Sequence, residues 1–181
     1  MSPAVEQPRT PELCRRALRP SILRPMPQPP EIRLRPASER DRRFAYEVKR
    51  AALGPYVAQV WGWDEDFQQE FHARDWAVRR PEIVVCDGVD IGTVQFVRGE
   101  ADYHVGELYL LPEYQRRGIG SRILQGLTST ADAEAVPVLL EVIKVNPARS
   151  LYERHGFEIC GETGTHYLMR RGPAPAGIRQ A

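Results

Sequence analysis

Apolar and polar residues in the middle of the chain form patterns typical of strands and of helices. The strand patterns predict seven strands. The segment EIRLRPA (31–37) alternates apolar and polar side chains, as a half-buried strand does. The nearly continuous apolar run VPVLLEVIKV (136–145) is typical of a central strand covered on both faces. The other strands are predicted at 82–88, 90–99, 102–111, 157–162 and 165–170. Asp87-Gly88 joins the second and third strands as a hairpin turn.

The helical period predicts two helices after the first strand. The first helix follows Ser38 and is expected to end near Leu53, because Gly54-Pro55 is a helix-breaking pair. Asp64 is a suitable N-cap for the second helix, EDFQQEFHARDW.

Two later helices carry their own start and stop signals. Four apolar residues share one face of the helix from Gly118 to about Ala131: Ile119, Ile123, Leu124 and Leu127. Asn146 can cap the last helix, with Pro147 in its first turn and Gly156 after its last turn. The resulting order, β-α-α-β-β-β-α-β-α-β-β, predicts a mixed α/β domain whose central mixed sheet has six to seven strands flanked by four helices.

Composition changes at both ends of the chain of 181 residues. Residues 1–30 contain eight prolines, a density that blocks both helices and sheet ladders, so we predict a disordered Pro/Arg-rich extension there. The segment 172–181 is predicted to be a flexible tail. Residues 31–171 remain as one folded domain.

Charge and cysteine content narrow the classes of function. A formal net charge of +1 provides no electrostatic footprint for nucleic acid or an anionic membrane. No apolar run reaches the roughly 18 residues that a spanning helix needs. The three isolated cysteines and four histidines show neither disulfide nor metal-ligand spacing. We therefore predict a cytoplasmic protein without a metal and without nucleic-acid or membrane partners.

The stretch EYQRRGIGSRIL, directly after the strand 102–111, predicts an anion site. Gly118 and Gly120 leave the backbone open to close approach, and the first amides of a helix have no internal partner. A P-loop would require a lysine that is absent, and a dinucleotide fingerprint would require glycine where Ile123 stands. The third candidate ligand is the pyrophosphate of coenzyme A.

Two segments resemble the GNAT superfamily of N-acetyltransferases. QRRGIG (115–120) matches its [Q/R]-x-x-G-x-[G/A] signature, and NPARSLYERHGF (146–157) is similar to its second cofactor motif. The order of elements agrees over residues 31–171. The resemblance implies an enzyme that transfers an acetyl group from acetyl-CoA to a primary amine of a small molecule or peptide. Its alternative is a GNAT-like module that binds acyl-CoA as a sensor and catalyses nothing.

The resemblance also implies a cofactor site between the strands 102–111 and 136–145. A backbone N–H near Leu110 would polarise the thioester carbonyl, and the amides of residues 116–121 would bind the pyrophosphate. A solvated basic turn is the competing interpretation for the arginines. The implied cofactor-binding residues are Leu108, Tyr109, Leu110, Gln115, Arg116, Arg117, Gly118, Ile119, Gly120, Ser121, Asn146, Ala148, Arg149 and Tyr152.

Catalytic roles follow from the same resemblance. Tyr152 occupies the position of the family's usual general acid, although it could also be a core tyrosine. The base would be His104 or Glu107, which alternation places on opposite faces unless a bulge intervenes; a water chain without a base is a further alternative. Without a nucleophile constellation around the cysteines, direct transfer in a ternary complex is expected.

The acceptor side is defined less closely. In relatives the loop between the first two helices walls the acceptor pocket, so Tyr56, Trp61 and Trp63 are candidates, as is His166 from the last strand pair. The acidic residues 64–66 would attract a cationic amine, or would simply favour a helix N-terminus. Homodimers are frequent in the family, so the resemblance is compatible with a homodimer.

Overall fold

A computed structural model describes residues 29–174 of the chain. The predicted extension therefore lies outside the described residues except for positions 29 and 30, as does the predicted tail beyond position 174. The strands are β1 Ile32–Pro36, β2 Glu82–Cys86, β3 Val89–Arg98, β4 Tyr103–Leu110, β5 Val138–Ile143, β6 Glu158–Glu162 and β7 His166–Arg171. The helices are α1 Arg42–Trp61, α2 Glu65–Val78, α3 Ile119–Ala133 and α4 Arg149–Arg154. The predicted order of elements is confirmed.

One seven-stranded sheet holds all the described strands, in the order β1-β2-β3-β4-β5-β7-β6. Neighbouring strands are antiparallel except β4 and β5, which are parallel and joined through α3. The β2–β3 hairpin turns at Asp87 and Gly88, with φ of 49° and 83°. Both values lie in the left-handed region that a type I′ turn requires, so the predicted hairpin is confirmed.

The helices cover the two faces of the sheet and create its core. On one face, Leu124 and Ala131 of α3 and Tyr152 of α4 pack with residues of β4 and β5 in one buried cluster. A second cluster joins Ile119 and Ile123 of α3 to residues of β2, β3 and β4. The predicted apolar face of α3 is buried within these clusters. On the opposite face, α1 packs across β3 and β4.

The prediction that the first helix ends before Gly54-Pro55 is wrong, because α1 continues to Trp61. A proline inside a helix removes one backbone hydrogen bond and costs about 3 kcal/mol. Val57 is buried after the proline, and Val48 is fully buried before it. Burying each such side chain contributes about 1.5–3 kcal/mol, which is enough to offset the cost and keep the helix on the sheet.

Candidate active site between the central strands

The main opening in the sheet lies where β4 and β5 separate. Their parallel pairing runs from Tyr103 opposite Val138 to Val105 opposite Leu140 and then stops. Beyond that point β4 continues to Leu110 and β5 to Ile143. The sheet therefore presents two unpaired strand edges to each other, in the region where the sequence predicts the cofactor arm.

A bulge on β4 marks the start of this opening. Gln95 pairs with Glu107 and Phe96 with Val105, which leaves Gly106 without a partner. The extra residue shifts the alternation by one, since Val105 and Leu108 both pack against the α3 and α4 side. Glu107 and Tyr109 consequently point to the α1 face. Alternation along the strand would place His104 and Glu107 on opposite faces unless a bulge lay between them. The structure has that bulge.

Backbone direction at the end of β4 favours a free donor. The Leu111 N–H donates to the Ile91 carbonyl on β3 at 2.9 Å. Because successive N–H groups of a strand point to opposite edges, the Leu110 N–H points away from β3, towards the opening. This orientation is the one that the predicted role of Leu110 requires.

The N-terminus of α3 stands beside the same opening. Its first backbone bond runs from the Arg122 N–H to the Gly118 carbonyl, so the amides of residues 119–121 have no partner within the helix. Gly118 has φ of 77° and Arg116 has φ of 58°, and successive amides in such a turn form a concave anion-binding nest. A Cβ added at Gly120 would lie 3.4 Å from Leu151 and 3.8 Å from Leu110. Helix α3 therefore begins between β4 and α4.

Several predicted cofactor residues contact other parts of the protein. The Gln115 amide donates to the Leu110 carbonyl at 2.8 Å, which ties the turn to the end of β4. The Ser121 hydroxyl lies 2.6 Å from His155 Nε2, which links α3 to the end of α4. The Arg117 guanidinium stacks over Tyr114, 5.5 Å from the ring centroid. These contacts brace the first turn of α3 from several sides.

The second motif forms the wall opposite β4. Asn146 Oδ1 accepts the Ala148 N–H at 2.9 Å in the turn before α4. The N-cap of α4 is Ala148, so the prediction that Asn146 caps this helix is wrong. Arg149 lies over the Tyr167 ring and pairs with Glu153 at 3.2 Å. Tyr152 is buried in the core cluster, and burial raises its pKa to about 12. Its hydroxyl therefore stays protonated at neutral pH.

Glu107 is the acid whose environment changes its chemistry most. Burial raises the pKa of the Glu107 carboxyl to about 7. The Thr93 hydroxyl and the Lys49 ammonium oppose this rise, and Asp75 adds to it. The same surroundings also raise the pKa of Tyr109, chiefly through burial. A carboxyl with a pKa near neutrality can accept a proton at working pH.

His104 lies in the closed part of the β4–β5 pairing, opposite Leu139. Its Nε2 is 2.9 Å from Asp102 Oδ1, and about half of its side chain is exposed. The two candidate bases thus occupy different positions: His104 is at the rim, and Glu107 is beside the opening.

The predicted acceptor residues are only partly brought together. Trp61, at the end of α1, packs against His166, at the start of β7, with ring centroids 5.7 Å apart. Trp63 instead covers Gly54 and donates through Nε1 to Glu65 at 2.8 Å. Tyr56 lies within α1 rather than in the expected loop, since the helix continues past Pro55.

The acidic residues 64–66 serve structure at two positions. Asp64 accepts the Phe67 N–H at 2.9 Å as the N-cap of α2. Glu65 accepts hydrogen bonds from Tyr46, Trp63 and Gln69, and thereby joins α1 to α2. These contacts favour the structural interpretation of the cluster over attraction of an amine.

Sequence reasoning missed Lys49 and Thr93, which lie on the α1 face beside Glu107. Lys49 follows Ala45 by one helical turn on the buried side of α1, and Thr93 is buried on β3. A signal was available for Lys49, because it is one of two lysines among 25 basic residues. For Thr93 no pattern distinguishes a pocket hydroxyl from any other strand threonine.

Other kinds of site are not evident in residues 29–174. No group of three His, Cys, Asp or Glu side chains there could hold a metal ion. None of the described helices is both long and apolar enough to cross a membrane. A groove of about 340 Å³ lies away from the opening, between β1 and α3, and its walls include Ile32, Leu34 and Ile123. The groove has no acid or base among its lining residues that could act near neutral pH.

Comparisons with known proteins point to one class. The sequence model of the acetyltransferase (GNAT) domain matches residues 79–159. No curated protein matches the chain. The PaiA N-acetyltransferase of Thermoplasma acidophilum, solved with coenzyme A, is 19% identical, with a TM-score of 0.64 over 78% of this chain and 99% of that one. The ribosomal-protein-S18-alanine N-acetyltransferase of Escherichia coli is 18% identical, with a TM-score of 0.59 over 83% and 99%.

An acetyltransferase from Thermus thermophilus has the same fold, with 19% identity and a TM-score of 0.60 over 78% of this chain and 96% of that one. These likenesses establish the fold, a mixed sheet that opens between its central strands. The matched domain covers the β-hairpin, the glycine turn and the second motif. The domain match and the shared fold together support a GNAT superfamily N-acetyltransferase, and acyl transfer as its general chemistry.

Proposed function

We propose that this protein transfers an acetyl group from acetyl-CoA to a primary amine of a small molecule or peptide, by direct attack in a ternary complex. The observation that carries the proposal is the separation of β4 from β5 after Val105, with the free amides of α3 at one end of the opening. A strand edge, a helix N-terminus and a protonated tyrosine converge there.

The residues fit the donor through both charge and shape. The amides of residues 119–121 and the positive charges of Arg116 and Arg117 suit a diphosphate, because a helix N-terminus favours anions. No atom lies within 4 Å of a Cβ added at Gly118, so its outer side is open. When bound, acetyl-CoA supplies an acyl thioester.

Three groups divide the chemistry between them. The Leu110 N–H donates to the carbonyl oxygen as negative charge develops there. Glu107 takes the proton that the amine loses as its nitrogen bonds to the acetyl carbon. Tyr152 gives a proton to the sulfur that leaves as the carbon–sulfur bond breaks. His104 is farther from the opening along β4, so Glu107 is the base we propose.

Thermal unfolding of the full chain with and without acetyl-CoA tests the donor site. A ligand that binds only the folded state stabilises it by about 2.7 kcal/mol at a hundred times its Kd, so the melting temperature should rise. Gly120→Glu places a negative charge in the first turn of α3 and should abolish this rise. Gly126→Glu introduces the same charge into the middle of α3, where no atom lies within 4 Å of an added Cβ, and should leave the rise intact.

Release of free thiol with a panel of amines tests catalysis. Transfer should depend on both substrates and follow sequential kinetics without an acyl-enzyme. If acetyl-CoA leaves the melting temperature of the wild-type protein unchanged, the proposed donor site is refuted. Binding of acetyl-CoA without thiol release from any amine would instead favour the non-catalytic sensor.

A further inference from the structure

Three polar groups face one another under α1 and are poorly paired. The Thr93 hydroxyl is buried, with 1% of the residue exposed; it lies near enough to Glu107 to lower the pKa of that carboxyl, yet forms no well-aligned hydrogen bond within residues 29–174. Lys49 is half-buried, and in the same part of the chain its ammonium contacts the Phe71 ring, 4.6 Å from the centroid, rather than a carboxylate. Glu107, also half-buried, is the third group.

Strand register places these groups on one surface. Thr93 pairs with Tyr109, and Gln95 pairs with Glu107, so Thr93 and Glu107 are diagonal neighbours on adjacent strands. Val94 and Leu108, the residues that follow them, pack on the α3 side. Thr93 and Glu107 therefore point to the α1 face, across which α1 extends. Lys49 lies on the inner side of that helix.

Leaving such groups without partners is costly. A buried hydroxyl without a hydrogen bond costs about 1–3 kcal/mol, and burial disfavours an unpaired ammonium more strongly. Buried polar groups in folded proteins are almost always paired, so an unpaired set indicates a missing partner. That partner must offer an anionic oxygen to Lys49 and an oxygen or nitrogen to Thr93. A carboxylate satisfies both.

We propose that Lys49 and Thr93 bind a carboxylate of the acceptor, so that the preferred substrates are amines carrying a nearby acid group, such as amino acids and acidic peptides. This inference rests on the proposed function, because it places the acceptor amine at Glu107. The carboxylate is held on the α1 face, and the amine reaches through the bulge region of β4. Asp75, at the edge of this surface, attracts the Lys49 ammonium and repels the Glu107 carboxylate, and because it is exposed, water weakens both effects.

Matched acceptor pairs test the assignment. Amino acids and their carboxamides differ in the acid group while keeping the amine, and thiol release gives kcat/KM for each. The wild-type protein should prefer the acid over the amide by at least about tenfold. Lys49→Met should remove the preference by raising KM for acids, whereas Lys49→Arg should retain most of it. Arg43→Met, on the exposed side of α1, is the matched control and should change nothing.

The outcomes separate this inference from the proposed function. Transfer to acids and amides at equal rates would overturn the role of Lys49 while leaving acetyl transfer intact. An equal fall in the kcat/KM of Lys49→Met for acids and for amides would also overturn it, because Lys49 would then act only through the charge of Glu107. Absence of transfer to every amine, with acetyl-CoA still bound, would refute the proposed function and this inference with it. Melting curves of each variant confirm folding.

Discussion

Single residues set the proton affinities of the groups beside the opening between β4 and β5. Gly106 has no partner on β3, and this one unpaired residue turns Glu107 towards the α1 face. Burial there raises the pKa of the carboxyl to about 7, whereas burial of Tyr152 raises the pKa of the phenol to about 12. One group can therefore accept a proton at neutral pH while the other still holds its own. Such separated pKa values are what the proposed general base and general acid require.

Replacing Tyr152 by Phe should lower kcat by about a hundredfold, since a positioned general acid typically contributes at least that much. The aromatic contact with Phe157, at 5.9 Å between centroids, is kept, so folding and acetyl-CoA affinity should be unchanged. Steady-state kinetics together with calorimetric binding measure the two quantities. A variant with full kcat would show that Tyr152 is only a core residue.

The pH profile reports on Glu107. In the proposed mechanism the carboxylate is the active form of Glu107, so kcat/KM should rise as pH increases through about 7. In Glu107→Gln this inflection should be missing, although any titration of the amine remains. A profile with the same inflection in both proteins would assign it to another group.

Stability should respond to the same carboxyl with the opposite sign. Folding raises the pKa of the Glu107 carboxyl from 4.5 to about 7. The contribution of this carboxyl to stability is therefore present below about pH 4.5 and is lost as pH rises through 7. Glu107→Gln should therefore gain in melting temperature relative to the wild type between pH 5 and pH 8. A constant difference over that range would contradict the raised pKa.

Elements are positioned by close backbone contacts as well as by apolar faces. Where β3 pairs with β4, a Cβ on Gly92 would meet the Tyr109 carbonyl oxygen and lie 2.7 Å from the Leu110 side chain. A Cβ on Gly106 would meet only the amide oxygen of Gln95, at the end of a flexible side chain. The two glycines of one ladder thus have different physical roles.

Gly92→Ala should lower the free energy of unfolding by about 1–3 kcal/mol, because rigid backbone must move to accept the methyl group. Gly106→Ala should cost much less, since Gln95 can change rotamer. Urea unfolding of both variants provides the comparison. Equal losses would mean that the β3–β4 contact at Gly92 is looser than described.

At the scale of the whole molecule, long-range contacts hold the last strand against the middle of the chain. Arg171 of β7 donates two hydrogen bonds to Asp132 of α3, at 2.7 and 2.8 Å, and one to the His155 carbonyl at 3.1 Å. The Ala174 N–H also donates to Asp132. The Arg171 bonds, followed by that backbone bond, lower the pKa of the Asp132 carboxyl.

Asp132→Asn should lower the free energy of unfolding at pH 7 by about 1.5–3 kcal/mol, the usual range for hydrogen bonds to a charged group. Because the folded-state pKa is lowered from 3.8, this stabilisation is present above that pH and is lost as pH falls below it. The control is Glu47→Gln, whose partner Arg43 is exposed, and its effect should be below about 1 kcal/mol. Chemical unfolding at pH 7 and pH 3 measures both. Similar losses in the two variants would contradict a special role for Asp132.

Local sequence signals determined much of the secondary structure of this protein and several of its turns and caps. The order of strands and helices, the Asp87-Gly88 turn, the Asp64 cap and the buried face of α3 all depend on neighbours a few residues apart. The glycine turn and the second motif indicated the superfamily for the same reason, because each is a continuous segment of chain.

Tertiary structure decided what depends on distant residues. The continuation of α1 through Pro55 follows from burial against the sheet, which outweighs the local signal of the proline. The bulge at Gly106 is a mismatch between two strands and has no pattern within either one. The contact of Trp61 with His166 and the convergence of Lys49, Thr93 and Glu107 join segments that are far apart in sequence. Such contacts arise from packing of the whole chain, which local periodicity does not encode.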